Sequence, residues 1–222
     1  MKRILEPELM LDEAQVKAYA EADFEEPHAH FIQLFQENFA DREIEGTVLD
    51  LGCGPGDITF RFASAYQNCA VHAVDGSRTM LESAGRRLAR TPALQNRIVF
   101  IEGMLPNLRV PERNYDYFIS NSLLHHLPDP DVLWTTIKRY ALVGSRVFVM
   151  DLVRPETAET ATRMVELYAA DEPPVLQRDF YNSLLAAFTV DEIAIQLAAN
   201  RLEYLEYKPV SDRHVTISGR IR

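Results

Sequence analysis

Three glycines at alternate positions, directly after a short apolar strand, constrain the fold of this chain more than any other feature. Residues 47–57 read TVLDLGCGPGD. The aliphatic and β-branched residues at 47–51 predict a buried strand, and the apolar pattern at 58–63 predicts a helix. Glycine is needed where a backbone turns sharply, adopts positive φ or lets a ligand approach closely. The order strand, glycine-rich turn, helix therefore indicates a ligand-binding unit of an α/β sheet.

The spacing of the glycines limits the class of ligand that this turn can bind. The dinucleotide-binding fingerprint is G-x-G-x-x-G, whereas here the third glycine comes one residue earlier and Asp50 stands two residues before the first. A carboxylate at this strand end repels a pyrophosphate but suits a ligand that carries an ammonium group. The stretch resembles motif I of the class I S-adenosylmethionine (SAM) dependent methyltransferases, of the small-molecule type. An NAD-dependent oxidoreductase is the least favoured alternative.

Apolar runs and helical patterns alternate along the rest of the chain, which predicts parallel strands covered on both faces. Further strands are expected at 70–75, 97–102, 116–121, 146–151, 201–210 and 214–221, and helices at 77–90, 131–142, 156–170 and 180–200. The predicted fold class is α/β, doubly wound, with a mainly parallel seven-stranded sheet and an N-terminal helical cover. The resemblance implies that the last strand runs antiparallel. A single domain over 1–222 is expected, with 1–45 as a helical cap or lid and 46–222 as the Rossmann-like core.

Charge and cysteine content limit the partners. The formal net charge is −10, and Lys and Arg form no cluster, which disfavours nucleic acid as a partner. No apolar segment is long enough to span a bilayer, so no membrane partner is expected. The two cysteines, Cys53 and Cys69, form no C-x-x-C pair. We therefore expect a cytoplasmic protein, a monomer or homodimer, without a metal site.

The resemblance assigns cofactor-binding roles to residues at the carboxyl ends of the strands. Asp50 would contact the amino acid end of SAM, and Asp75 would accept hydrogen bonds from both ribose hydroxyls. The family usually has Gly-Asp after the third strand, but Gly103-Met104 stands here, so adenine would be held by backbone amides and apolar packing. The complete predicted set is Asp50, Gly52, Cys53, Gly54, Gly56, Asp75, Gly76, Met80, Gly103, Met104, Leu105 and Asn121.

The methyl acceptor is expected between the N-terminal helices and the carboxyl ends of strands four and five. Phenylalanines at helical spacing before residue 40 favour a cover packed on the sheet, which could also act as a lid over the substrate. The candidate catalytic residues are Tyr19, His30, His125 and His126, although a positional role is favoured for the two adjacent histidines. The wider predicted lining is Tyr19, His28, His30, His125, Asp151, Tyr181, Arg213 and His214.

The resemblance thus implies a SAM-dependent methyltransferase that acts on a small-molecule acceptor by in-line displacement, with S-adenosyl-L-homocysteine as product. One alternative is a non-catalytic SAM-binding regulator or subunit. Another is a protein or tRNA methyltransferase, which the acidity and the absence of an Asn-Pro-Pro-Tyr motif after strand four disfavour. Asn-Ser-Leu-Leu stands at 121–124 instead.

Overall fold

The computed structural model describes residues 1–6, 25–39 and 44–222. One seven-stranded sheet in the order β3-β2-β1-β4-β5-β7-β6 organises these residues. Its strands are β1 (Glu45–Leu51), β2 (Asn68–Asp75), β3 (Ile98–Glu102), β4 (Tyr115–Asn121), β5 (Ala141–Leu152), β6 (Glu206–Pro209) and β7 (His214–Arg220). Strands β1 to β5 pair in parallel, and β7 runs antiparallel to both of its neighbours. The predicted doubly wound, mainly parallel sheet with an antiparallel last strand is confirmed.

Helices flank this sheet. They are α1 (Glu25–Asn38), α2 (Asp57–Ala65), α3 (Arg78–Ala89), α4 (Asp131–Tyr140), α5 (Ala158–Tyr168), α6 (Pro174–Ala186) and α7 (Val190–Ala199). From β1 the chain builds outward to β2 and β3 on one side, and it then crosses back to add β4 and β5 on the other side. At this switch point between β1 and β4 the carboxyl ends of the strands border a crevice. Within the described part of the chain, none of the helices has the length and apolarity required to cross a membrane.

Helix α1 packs against the sheet as a core element. The rings of Phe31 and Phe35 lie edge-on to Phe148 of β5, at centroid distances of 5.0 and 5.5 Å. Phe35 also meets Phe62 of α2 at 4.9 Å. Such edge-to-face pairs add to the stabilisation gained from burying the rings. The part of the expected N-terminal cover that the structure describes as a helix is therefore fixed by an aromatic cluster.

The helix predicted at 180–200 is wrong in one respect, because two helices occupy that region. Helix α6 ends at Ala186, and α7 begins after Thr189. Thr189 and Glu192 form a reciprocal capping box at the start of α7. Phe188 makes an isolated parallel bridge with Val153, just beyond β5. The apolar residues of 180–200 continue through this break, so their pattern does not mark it.

Residues 1–6 also depart from the expected helical cover. They are not helical, and Ile4 N donates to the carbonyl of Leu185 at 3.0 Å. The terminal ammonium donates to Glu156 O at 2.9 Å. These amide and ammonium groups find partners on distant elements rather than within a helix. The first six residues therefore lie across the end of α6.

Candidate functional site

The glycine-rich turn after β1 has the backbone geometry that its sequence predicts. The amides of Gly52 and Cys53 both donate to Val74 O of β2, at 2.9 and 3.0 Å. Gly52 has φ of 73°, and a Cβ there would stand 2.8 Å from Leu123 Cβ. Gly54 has φ of 53°, but a Cβ there would meet no protein atom within 4 Å. Gly52 is therefore required for packing, whereas Gly54 borders open space where a ligand can lie against the backbone.

Asp75, at the end of β2, is tied to the same turn. Its Oδ2 accepts the amide of Gly54 at 2.8 Å, and its Oδ1 accepts the amide of Ser77 at 2.7 Å. Burial raises the pKa of the Asp75 carboxyl, although these two amides oppose the shift. Each carboxylate oxygen has two acceptor positions, so both oxygens can still accept a ligand hydroxyl. Asp75 therefore orders the turn and keeps acceptor capacity at the crevice.

Asp50 lies buried in the same neighbourhood. Its Oδ2 accepts the hydroxyl of Thr59 at 2.5 Å. The pKa of Asp50 is raised to about 7, because burial and the charge of Asp75 together outweigh the lowering effect of the Thr59 hydrogen bond. Burial and the charges of both carboxylates also raise the pKa of the Cys53 thiol, which places these groups close together. A cationic group bound beside Asp50 would stabilise its ionised form.

The remaining predicted cofactor residues are distributed around the edge of this crevice. Gly103 N donates to Asp75 O at 3.0 Å, which joins the ends of β2 and β3. Met80 is buried, whereas Met104 exposes 39% of its surface. Gly76, Leu105 and Asn121 are half-buried, and Gly56, which is buried, precedes α2 with φ of 86°. Their binding roles stay predictions.

A second polar cluster forms where β4 and β5 end. Asp151 Oδ1 lies 2.6 Å from Nδ1 of His125, and Oδ2 accepts the amide of Leu124 at 2.7 Å. Burial alone would raise the pKa of Asp151, but the charge and hydrogen bond of His125 lower it. Burial alone would lower the pKa of His125, but Asp151 raises it. Both side chains are almost fully enclosed, so Asp151 orients the loop that follows β4.

This loop is also strained. Ser122 adopts φ of 56°, although it is not a glycine, and its amide donates to Met150 O at 2.9 Å. Non-glycine residues in the left-handed region persist where the surrounding structure over-determines them, and they cluster at functional sites. The strained position directly follows the predicted ligand residue Asn121.

The N-terminal residues complete this cluster, and no sequence motif predicts their contribution. Arg3 donates to the carbonyls of His125 and Leu127, at 2.8 and 3.0 Å, and its guanidinium lies 3.8 Å from the centre of the Phe188 ring. Glu6 Oε1 lies 3.4 Å from Nε2 of His125. More than 115 residues separate these partners along the chain, and no motif marks the pairing. Arg3 and Glu6 are therefore site residues that only the fold reveals.

The expected acceptor residues are brought together in part. Burial lowers the pKa of His214 to about 4, and the lowering also depends on Arg213 and, more weakly, on His30, while Asp151 opposes it. These residues of α1, β5 and the β6–β7 turn therefore share one region. His28 instead pairs with Asp57 at 2.7 Å, beside the start of α2. Tyr181 packs at the edge of the α5–α6 cluster, and Tyr19 lies outside the described residues.

Comparison with known proteins finds methyltransferases over part of the chain. Residues 48–142 match the family described as "Methyltransferase domain". A malonyl-[acyl-carrier protein] O-methyltransferase of Priestia megaterium is 34% identical over 121 residues, which are 54% of this chain and 40% of that protein. A trans-aconitate 2-methyltransferase of Methylobacterium radiotolerans is 32% identical over 127 residues, 56% of this chain and 44% of that protein. The chain thus matches less than half the length of these relatives.

A solved structure supports the fold over nearly the whole chain. The plantazolicin methyltransferase BpumL, solved with a triazolic desmethylPZN analogue and SAH, superposes with a TM-score of 0.68. The match covers 94% of this chain and 91% of that one, at 15% sequence identity. At this level of identity the likeness concerns the architecture.

Proposed function

We propose that the chain is a class I SAM-dependent methyltransferase, which transfers a methyl group from SAM to a small-molecule acceptor. The observation that carries the proposal is the hydrogen bond that Gly54 N donates to Asp75 Oδ2, at 2.8 Å. It joins the glycine turn and the predicted ribose acceptor at one edge of the crevice. The two curated relatives named above are both methyltransferases, and both names specify a small acid or its carrier-bound form.

The residues present fit SAM. The open side of Gly54 leaves space for the ligand against the backbone, and the two oxygens of Asp75 can accept a pair of ribose hydroxyls. The buried carboxyl of Asp50 suits the ammonium group of the amino acid end. Met104 and Met80 supply apolar surface for adenine, in place of the acid usual in the family.

The main task of the protein in methyl transfer is to align SAM with the acceptor. SAM supplies an activated methyl group whose transfer is an in-line displacement with a good leaving group. The chain's own residues hold the two reactants in register and exclude water. The enclosed Asp151–His125 pair holds the loop after β4, which supports a positional role for His125. His30 and His126 remain proposed acceptor-side residues, and the cytoplasmic location and oligomeric state remain expectations.

A methyl-transfer assay tests the function. Purified protein is incubated with SAM labelled in its methyl group and a panel of small carboxylic acids, phenols and amines that includes trans-aconitate. We expect label in at least one acceptor. Asp75→Asn is the matched control, because loss of a charged acceptor weakens SAM binding by about 1.5–3 kcal/mol, or roughly 10- to 150-fold. SAM binding without transfer to any class of acceptor would instead favour the non-catalytic SAM-binding alternative.

The raised pKa of Asp50 predicts how SAM affinity depends on pH. Below pH 7 the buried carboxyl holds a proton, so binding of an ammonium group must release that proton. The affinity should therefore rise roughly five- to sixfold from pH 6 to pH 7.5, because ionisation of Asp50 outweighs the partial loss of the proton from the SAM amino group, whose pKa is about 8. Asp50→Asn should flatten this dependence in calorimetric titrations. Parallel pH profiles for the two proteins would remove Asp50 from contact with the ammonium group.

A further inference from the structure

Glu6, His125 and His126 direct three potential metal-ligand atoms toward one point. Glu6 Oε1 lies 3.4 Å from Nε2 of His125 and 3.3 Å from Nδ1 of His126. All three atoms lie within 4.8 Å of one another. The two imidazole rings are neighbours, with centroids 4.3 Å apart and planes inclined by 34°, so both face the same carboxylate.

The two carboxylate–imidazole distances fit tetrahedral coordination. Zinc binds histidine nitrogen and carboxylate oxygen at about 2.0–2.2 Å, which separates neighbouring tetrahedral ligands by about 3.3–3.5 Å. Hydrogen bonding explains the arrangement less well, because Glu6 Oε1 is buried and accepts no hydrogen bond from the described residues. A buried carboxylate oxygen without a donor is costly. A cation between the three atoms removes that cost.

The surroundings hold the ligand groups as a metal site requires. The carboxylate of Asp151 contacts Nδ1 of His125 at 2.6 Å, which directs Nε2 toward Glu6. A carboxylate behind a ligating histidine is the usual way in which proteins orient such a ligand. Ser183 Oγ donates to the second oxygen of Glu6 at 3.2 Å, which fixes that side chain as well. The side chain of His125 is 2% exposed and that of Glu6 is 9% exposed, so the cluster is shielded from water.

We propose that Glu6, His125 and His126 form a binding site for a divalent transition-metal ion of the zinc class. Two imidazoles and one carboxylate are the ligand set of open zinc sites, in which water or a substrate atom takes the fourth position. The sequence predicted no metal site, because Glu6 is remote from the histidine pair along the chain. A bound ion would fasten the first six residues to the loop after β4, at the acceptor edge of the crevice.

Metal titration tests this proposal independently of methyl transfer. Protein without a histidine tag, freed of metal with EDTA and dialysed, is titrated with Zn²⁺ and separately with Mg²⁺ in a calorimeter. We expect one Zn²⁺ per chain, a raised melting temperature on binding and no comparable binding of Mg²⁺. Glu6→Gln and His126→Ala should each weaken Zn²⁺ binding at least tenfold.

Two matched controls separate the site from adventitious binding. Glu159→Gln changes an exposed glutamate on α5, and His72→Gln changes a histidine on β2 that contacts Tyr115. Both should bind Zn²⁺ as the unmodified protein does. The proposal is overturned if the unmodified protein binds no stoichiometric Zn²⁺, or if the site variants and the controls behave alike. Should a site variant fail to fold, visible absorption of Co²⁺ bound to the unmodified protein decides: intense four-coordinate bands support the site, and the weak spectrum of hydrated Co²⁺ contradicts it.

Discussion

Replacing Gly54 by alanine should reduce SAM affinity at least 100-fold, although the added methyl group touches no protein atom. A Cβ at this position has no neighbour within 4 Å, so it projects into the space that we assign to the ligand. A 100-fold loss corresponds to about 2.7 kcal/mol, which one steric clash against a closely packed ligand can supply. Calorimetric titration with SAM measures the effect.

Gly144 provides a matched control for this substitution. It also has positive φ, 95°, and a Cβ there would likewise meet no atom within 4 Å, but it lies at the opposite end of β5 from the crevice. Both alanine variants should lose about 1–2 kcal/mol of stability, because L-residues resist left-handed backbone conformations. Only Gly54→Ala should lose SAM affinity. Equal SAM affinity in the two variants would show that the ligand does not pass against Gly54.

Deleting residues 1–6 should abolish methyl transfer while SAM affinity stays within about threefold. Arg3 holds the loop after β4 through the carbonyls of His125 and Leu127, and Glu6 encloses the same histidine. The glycine turn and Asp75 have no contact with this segment among the described hydrogen bonds and ion pairs. The deletion therefore disturbs the loop after β4, which we call the acceptor side of the crevice. It leaves the glycine turn and Asp75, which we call the cofactor side, ordered. Turnover of the acceptor found in the transfer assay, and SAM titration, measure the two effects separately.

Point variants refine that experiment. Arg3→Ala should lower turnover strongly, whereas Lys2→Ala, which changes an exposed neighbour, should leave it unchanged. Circular dichroism and thermal melting establish that each variant is folded. Full turnover by a folded deletion variant would contradict the idea that the N-terminal segment closes the acceptor side.

Local sequence signals predict the glycine turn, because the strand, the turn and the polar residues beside it lie within a few positions of one another. Asp50, Gly52 and Gly54 follow one another in chain order, and Asp75 lies at the end of the next strand, so the α/β topology alone brings them to one edge. Because β1 and β2 pair in parallel, their carboxyl ends lie next to each other. The confirmed, mainly parallel sheet follows from the same alternation of strands and helices.

The acceptor side depends on contacts that no local pattern records. Glu6 lies 3.4 Å from His125, although 119 positions of the chain separate the two residues. The break between α6 and α7 arises from the capping box at Thr189 and the Phe188 bridge, which apolar periodicity does not register. These long-range contacts and the helix break depend on tertiary structure, so local sequence patterns do not predict them.

Calorimetric titration of the unmodified protein with S-adenosyl-L-homocysteine, beside NADH, tests the central claim most directly. This product carries the ribose, the adenine and the ammonium group that Asp75, Met104 and Asp50 are expected to contact, and its binding requires no acceptor. We predict one site per chain with micromolar affinity for S-adenosyl-L-homocysteine and no measurable binding of NADH. Absence of S-adenosyl-L-homocysteine binding, or NADH binding of equal strength, would contradict the assignment of the glycine turn as a SAM site.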